Sequence, residues 1–143
     1  MESLQIKRLH PDAVLPTRAH ENDAGLDLAS NIDATVGVSS RVTIGTGIAI
    51  ALPAGTAGLI YPRSGLASRY GLSLSNSVGV IDSDYRGEVM LTVINHGTRP
   101  FTISKGMRVA QMIVTPYCVP ELVEVDHLDA TERGTAGLGS SGK

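Results

Sequence analysis

Apolar and polar residues alternate with a period of two along much of this chain. The alternation is clearest in Leu4–Lys7, Ile48–Leu52 and Val89–Val93, and shorter runs of it occur at 36–38, 42–44 and 122–125. Successive side chains of a strand point to opposite faces, so this period predicts half-buried β-strands. A helical period is absent, except that residues 63–70 offer about two turns of helix.

Turn-forming residues separate these runs. Asn76–Gly79 predicts a hairpin-type turn, and further glycine, proline or asparagine residues interrupt the pattern at 37, 45, 47, 53, 55, 71, 87, 95, 97, 106, 116 and 120. Short strands that break every 8–12 residues or so are typical of a sandwich or barrel. The pattern predicts one all-β domain, a sandwich or barrel, over residues 1–126, followed by a flexible Gly-rich C-terminal arm over 127–143.

The composition restricts the partners. The chain has 143 residues, of which 42% are hydrophobic and 18% charged, and its net charge is −2. These values indicate one globular domain without a general attraction to nucleic acid. Apolar runs fall well short of the ~20 residues that a membrane span needs, and the N-terminus lacks a signal-peptide pattern. A cytoplasmic location is therefore expected, with a nuclear or viral origin left open, and the single cysteine, Cys118, predicts no internal disulfide.

The last eleven residues, RGTAGLGSSGK, imitate two phosphate-binding motifs. Gly137, Gly139 and Gly142 match G-x-G-x-x-G, and Gly137, Gly142 and Lys143 match most of a P-loop. Both motifs need a strand before them and a helix after them, and the sequence offers no helix after Lys143. The match is therefore a false positive, and a flexible, Gly- and Ser-rich segment is the simpler interpretation.

Two stretches in the first half of the chain carry polar residues that a half-buried strand does not need. Asp27 lies between Leu26 and Leu28, and Arg63 with Ser64 follows an apolar run that ends in Pro62. An arginine fork and a hydroxyl beside backbone N–H groups suit phosphate oxygens. A solvent-facing acid and a solvated turn would produce the same pattern.

Two later stretches are also unusually polar. Asp82, Asp84, Tyr85 and Glu88 follow the apolar pair Val80-Ile81 within the stretch SLSNSVGVIDSDYRGEV. An acid in this place would suit a general base and a tyrosine would suit packing on a ring or sugar, but an exposed acidic strand edge fits equally well. In RVAQMIV, Arg108 and Gln111 interrupt an apolar strand, and a buried glutamine needs hydrogen-bond partners from the chain, a ligand or a neighbouring subunit.

The stretches AGLDL, PRSGLA, NSVGVIDSDYRGE, RVAQMI and RGTAGLGSSG, in this order across residues 24–142, resemble the five motifs of the homotrimeric dUTP pyrophosphatase (dUTPase) family. The resemblance implies a β jelly roll that assembles into a homotrimer with active sites shared between subunits. It also implies hydrolysis of dUTP to dUMP and pyrophosphate by water attack on the α-phosphorus. That reaction limits uracil incorporation into DNA and supplies dUMP for thymidylate synthesis.

The resemblance also implies roles for individual residues. Asp82 matches the acid that activates water, and Asp27 matches the acid that binds Mg²⁺ through water, while the substrate phosphates hold the ion directly. Arg63, Ser64 and Gln111 match phosphate-binding positions, with Ser64 near the scissile bond. The implied catalytic residues are Asp27, Ser64, Asp82 and Gln111.

The implied nucleotide pocket lies around Asn76–Ile81, where main-chain groups pair with uracil and Tyr85 packs on the deoxyribose. The tail would close over the site, and its leucine, Leu138, replaces an aromatic that the family usually has, so its contribution should be weaker. The implied substrate-binding residues are Arg63, Ser64, Gly65, Asn76, Gly79, Val80, Ile81, Asp82, Tyr85, Met90, Gln111, Arg133, Gly137, Leu138, Gly139 and Ser140. Two other functions remain open at this point: a dCTP deaminase of the same fold, and a trimeric β module that binds a partner without catalysis.

Overall fold

A computed structural model describes residues 3–138 of the chain, which form ten strands and one short helix. The strands are β1 (Gln5–Arg8), β2 (Leu26–Ala29), β3 (Ala34–Val36), β4 (Arg41–Ala51), β5 (Thr56–Pro62), β6 (Leu72–Leu74), β7 (Gly79–Ile81), β8 (Glu88–Asn95), β9 (Phe101–Ile103) and β10 (Arg108–Pro116), and the helix is α1 (Ser64–Tyr70). Two four-stranded antiparallel sheets, in the orders β1-β4-β8-β6 and β2-β10-β5-β7, accompany a two-stranded sheet of β3 and β9. The prediction of an all-β, jelly-roll-like fold is confirmed.

The core is aliphatic and lies between the faces of the sheets. In β8 every second side chain is buried, from Val89 through Leu91 and Val93 to Asn95, as the period of two predicts. Ile44 and Ile48 of β4 and Met112 of β10 are completely or almost completely buried with them. Among residues 3–138 the last buried member of the apolar core is Met112, and the described residues that follow β10 are not part of it.

One predicted turn is a bulge instead. Gly45 and Gly47 were expected to interrupt the chain, but β4 continues through both and pairs with β8 on each side of a register shift. Gly47 adopts a φ of +72° and donates its N–H to Glu88 Oε1 at 2.7 Å. Gly47 and Glu88 are 41 positions apart in sequence. Their contact stabilises the bulge, so β4 forms one long strand where the local pattern favours two short strands.

Two further local predictions are wrong. Asn76–Gly79 does not close a hairpin, because β6 pairs with β8 and β7 pairs with β5, so this segment crosses from one sheet to the other. The alternating run at 122–125 forms no strand, and Leu122 is 93% exposed. The pattern there is correct for a strand, but the described chain provides no neighbour for it. The boundary predicted at residue 126 stays a prediction.

Asn95 links three segments of the fold from a completely buried position. Its Nδ2 donates to the carbonyl oxygens of Val36 and Arg99 at 3.0 and 2.8 Å, and its Oδ1 accepts from the N–H of Gly97 at 2.8 Å. The side chain thereby joins the end of β8 to β3 and to the loop that leads into β9.

Replacing Asn95 with alanine is expected to lower the free energy of unfolding by about 3 kcal/mol, because three backbone groups lose their partner in a buried place. Urea titration followed by circular dichroism measures the change. Thr43→Ala is the control, since its hydroxyl contacts Thr92 at an exposed position and its loss should cost less than about 1 kcal/mol. Equal effects of the two substitutions would contradict the role of Asn95.

Candidate functional site

The first cavity, here called the Asp27 cavity, has a volume of about 660 Å³. It lies where β2, β10 and β5 meet the first turn of α1. Asp27 of β2 stands opposite Gln111 of β10, which in turn stands opposite Tyr61 of β5, so the register of two strand pairs places these side chains on one face. The predicted residues that line it are Asp27, Arg63, Ser64, Gly65 and Gln111.

The charged groups of this cavity are already engaged with one another. Asp27 Oδ1 lies 3.0 Å from Nε of Arg63, and Asp27 Oδ2 lies 3.0 Å from a guanidinium nitrogen of Arg108. The Asp27 side chain is only 13% exposed, so it does not simply face water. Because each of its oxygens lies 3.0 Å from a guanidinium nitrogen, the carboxylate is held in one orientation.

Gln111 is held equally firmly. Its Nε2 donates to the carbonyl oxygen of Pro62 at 2.9 Å, which answers the expectation that a buried glutamine needs a partner. Its Oε1 lies so close to Gly25 that a Cβ there would collide with it. The glycine before Leu26 therefore leaves room for the amide of Gln111.

The sequence interpretation missed several residues of this cavity. Tyr61, Asp23 and Arg69 line it, and Arg108 holds Asp27 although it was noted only as a polar interruption of its strand. The backbone N–H of His20 donates to Asp23 Oδ2 at 2.9 Å, and this hydrogen bond holds the pKa of the Asp23 carboxyl below its usual value. Arg69 had a weak signal in the sequence, since it falls on the two predicted turns of helix that begin at Arg63.

The second cavity, here called the Asp82 cavity, is smaller, at about 210 Å³. It is formed by β7, the turn after it and the start of β8. The predicted residues that line it are Asn76, Gly79, Val80, Ile81, Asp82, Tyr85 and Met90. Glu88 also lines it and was not predicted as a site residue.

The three acids near this cavity differ in how they are bound. Glu88 Oε1 accepts from Gly47, so this carboxylate serves the bulge in β4. Asp84 does not line the cavity. Asp82 is exposed at the end of β7, and within residues 3–138 its carboxylate accepts no hydrogen bond. Of the three, Asp82 alone both faces the cavity and has its oxygens available.

Tyr85 forms a fixed wall of the Asp82 cavity. Its hydroxyl donates to the carbonyl oxygen of Glu88 at 2.9 Å, and its side chain remains 44% exposed. A Cβ at Gly87 would overlap the phenol ring, so the turn between Tyr85 and Glu88 needs a glycine at that point.

The two cavities are separate within one chain. They share no lining residue, and they draw on neighbouring residues of β5: Ile60 lines the Asp82 cavity and Tyr61 lines the Asp27 cavity. Consecutive side chains of a strand point to opposite faces. One chain therefore does not bring Asp82 together with Arg63, Ser64 or Gln111.

The described part of the C-terminal arm, residues 127–138, is exposed throughout. Arg133 donates from Nε to the carbonyl oxygen of Ala136 at 3.0 Å, and Leu138 is fully exposed. None of the residues 127–138 lines either cavity. The predicted contacts of Arg133, Gly137 and Leu138 stay predictions, and Gly139 and Ser140 lie outside the described residues.

Residues 3–138 contain no group of three or more His, Cys, Asp or Glu side chains that could hold a metal ion. In the same range no helix is long and apolar enough to cross a membrane.

Comparison with known proteins identifies the family. The family model described as dUTPase matches residues 12–142. The deoxyuridine 5'-triphosphate nucleotidohydrolase of Corynebacterium efficiens is 49% identical over all of this chain and 80% of its own length. The corresponding protein of Rhodococcus erythropolis is 50% identical over 98% of this chain and 86% of its own length. The chain belongs to the dUTPase family.

Solved structures agree with this assignment. The dUTPase of Staphylococcus bacteriophage 80alpha, solved with dUpNHpp, has a TM-score of 0.93 and 29% identity and covers both chains completely. A mutant dUTPase from phage phi11 of S. aureus, with 26% identity and a TM-score of 0.82, covers 88% of this chain and 98% of its own, and it coordinates a structural Mg(II) ion.

Proposed function

We propose that this chain hydrolyses dUTP to dUMP and pyrophosphate, with water attacking the α-phosphorus. The observation that carries the proposal is that the residues of the family motifs fall into two cavities with different chemical groups. The arginine, hydroxyl and amide groups gather in the Asp27 cavity, and the backbone-lined recess with a tyrosine wall and a free carboxylate forms the Asp82 cavity. The Asp27 cavity suits phosphates, and the Asp82 cavity suits a nucleoside and the water that attacks the α-phosphorus.

Asp82 is the general base in this proposal. Its carboxylate faces the smaller cavity and is not committed to a structural hydrogen bond, so it is able to accept a proton from a water molecule. The backbone of Asn76–Ile81 would read the edge of uracil, and the buried groups that pair with uracil would be left unpaired by cytosine. Tyr85 is already fixed by Glu88 and would pack on the deoxyribose.

Arg63, Ser64 and Gln111 bind phosphate oxygens in this proposal. They line the Asp27 cavity together, and Gly65 has open space where a Cβ would stand, so a ligand can approach the backbone at the start of α1. Arg63 offers a planar fork for phosphate, and Ser64 offers a hydroxyl directly after it.

Mg²⁺ is the cofactor that this donor set fits. The Asp27 carboxylate is the acidic group that β2 contributes to the cavity, and the described residues form no cluster of acids around it. Mg²⁺ commonly keeps several waters and takes its remaining ligands from one or two carboxylates and substrate phosphates. When bound, the ion would neutralise phosphate charge. Asp27 would hold one of its waters.

We propose a homotrimer with shared active sites, and the separation of the two cavities supports a site built from more than one chain. Phosphates bound beside Arg63 and a nucleoside bound beside Asp82 would have to come from one substrate molecule, and a single chain presents these groups from opposite faces of β5. A site that combines both halves therefore draws on two chains. The arm of a third chain, from Arg133 onward, would close over it. A cytoplasmic location stays a prediction.

Incubation with dUTP and, separately, with dCTP tests the proposed function. We expect stoichiometric pyrophosphate and dUMP from dUTP in the presence of Mg²⁺, and neither ammonia nor pyrophosphate at a comparable rate from dCTP. Ammonia release from dCTP would identify a deaminase instead. Binding of nucleotide without turnover of either would favour a non-catalytic module.

A further inference from the structure

Arg108 contacts two charged residues of the Asp27 cavity, Asp27 and Arg63. Its guanidinium donates to Asp27 Oδ2 at 3.0 Å, and its backbone carbonyl oxygen accepts from a guanidinium nitrogen of Arg63 at 3.1 Å. Arg63 in turn contacts the other carboxylate oxygen of Asp27 at 3.0 Å. The three residues therefore form a closed set of contacts, in which Arg108 reaches each of the other two.

The position of Arg108 depends on a bulge at the start of β10. The register against β2 shifts between Arg108 and Ala110. Val109 and Ala110 are both buried, whereas Arg108 is exposed and reaches the same face as Asp27 and Gln111. A bulge commonly re-aims one side chain of a strand, and here it accompanies an arginine that reaches the Asp27 carboxylate.

Phosphate binding would divide the charge of Arg63 between two anions. Its Nε faces Asp27 and one terminal nitrogen donates to the carbonyl oxygen of Arg108, so a phosphate oxygen that binds the remaining donors shares this cation with the carboxylate. With Arg63 as its one cation, the mostly buried carboxylate would be weakly compensated near a triphosphate, and the like charges would repel. Arg108 is the second cation beside Asp27, and it contacts the other carboxylate oxygen.

We propose that Arg108 is a positioning residue, which keeps the Asp27 carboxylate paired and oriented while Arg63 also binds a substrate phosphate. The proposal rests on the proposed function, because it takes Arg63 as a phosphate ligand. It assigns no contact between Arg108 and the nucleotide. The effect of Arg108 should therefore pass entirely through Asp27.

A double-mutant cycle tests this proposal with the full-length protein. The dissociation constant of dUpNHpp with Mg²⁺ is measured by calorimetry for the wild type, Arg108→Gln, Asp27→Asn and the double variant, and steady-state kinetics with dUTP follow. Thermal unfolding of each variant checks the fold. Arg41→Gln is the matched control, since Arg41 is exposed at the start of β4 in the other sheet.

Arg108→Gln is expected to weaken dUpNHpp binding about tenfold, which corresponds to about 1.4 kcal/mol, and to raise KM more than it lowers kcat. In the Asp27→Asn background the same substitution should change binding less than twofold, because no carboxylate charge remains to be paired. Arg108→Lys should retain part of the affinity, since one donor suffices for Asp27 Oδ2. Arg41→Gln should match the wild type.

Three results would overturn the proposal while leaving dUTP hydrolysis intact. They are wild-type affinity in Arg108→Gln, an equal loss in the presence and absence of the Asp27 charge, and an Arg108→Lys variant as weak as Arg108→Gln. Failure of the wild type itself to bind dUpNHpp or to release pyrophosphate would overturn the proposed function, and this inference with it.

Discussion

Replacing Asp82 with asparagine is expected to lower kcat for dUTP by a factor of about 10²–10⁴, the usual range for loss of a general base. Asparagine keeps the size and the hydrogen-bonding capacity of the side chain but does not accept a proton from water. Nucleotide binding should change little, because the backbone of the Asp82 cavity and the Tyr85 wall remain. Pyrophosphate release measures kcat, and calorimetry with dUpNHpp measures binding.

Asp84→Asn is the matched control for this experiment. Asp84 lies two residues further along the same turn and does not line the cavity, so its neutralisation should leave kcat within a factor of about two. A near-wild-type rate in Asp82→Asn would remove Asp82 from the role of base. A comparable loss in both variants would point to the net charge of the turn instead.

Removal of residues 133–143 is expected to reduce turnover by about a hundredfold or more while the fold stays intact. The buried core ends at Met112, and the described residues after Pro116 form no strand, so their loss exposes no core surface. Turnover should fall because Arg133 and the glycine-rich segment are proposed to close over the triphosphate, and loss of one preorganised donor to a developing charge commonly costs 10²–10³-fold or so in kcat.

Thermal unfolding tests whether the fold stays intact, and pyrophosphate release tests whether turnover falls. Deletion of Lys143 alone serves as the control, and its activity should equal that of the full chain. Full activity in the variant that lacks 133–143 would contradict the proposed lid. A large fall in the unfolding temperature would instead show that the segment supports the fold.

Local sequence patterns predicted the elements that contacts with distant residues do not alter. The alternation in β8 and the ending of β5 at Pro62, followed by two turns of helix, appear in the structure as expected. The predictions failed where a residue distant in sequence determines the local structure. Gly47 belongs to one continuous strand because Glu88 binds its N–H, and Asn76–Gly79 crosses between sheets because β6 and β7 find different neighbours.

The candidate site shows the same division between local and distant information. The motif order selected many of the side chains that line the two cavities, but it missed Tyr61, Asp23 and Arg69. It did not reveal that these residues fall into two groups on opposite faces of β5, nor that Asp27 is held by Arg63 and Arg108. Both features depend on strand register and on a bulge in β10, which no pattern within one short stretch contains.

Glu88 constrains how this protein can diverge. Its carbonyl oxygen fixes the hydroxyl of Tyr85 in the wall of the Asp82 cavity, and its carboxylate holds Gly47 in the bulge of the neighbouring strand. A substitution at this position would disturb the glycine bulge, and any shift of its backbone would move the tyrosine as well. Selection for a different shape of this wall is therefore coupled to selection for a stable sheet, and the two properties are not free to evolve separately.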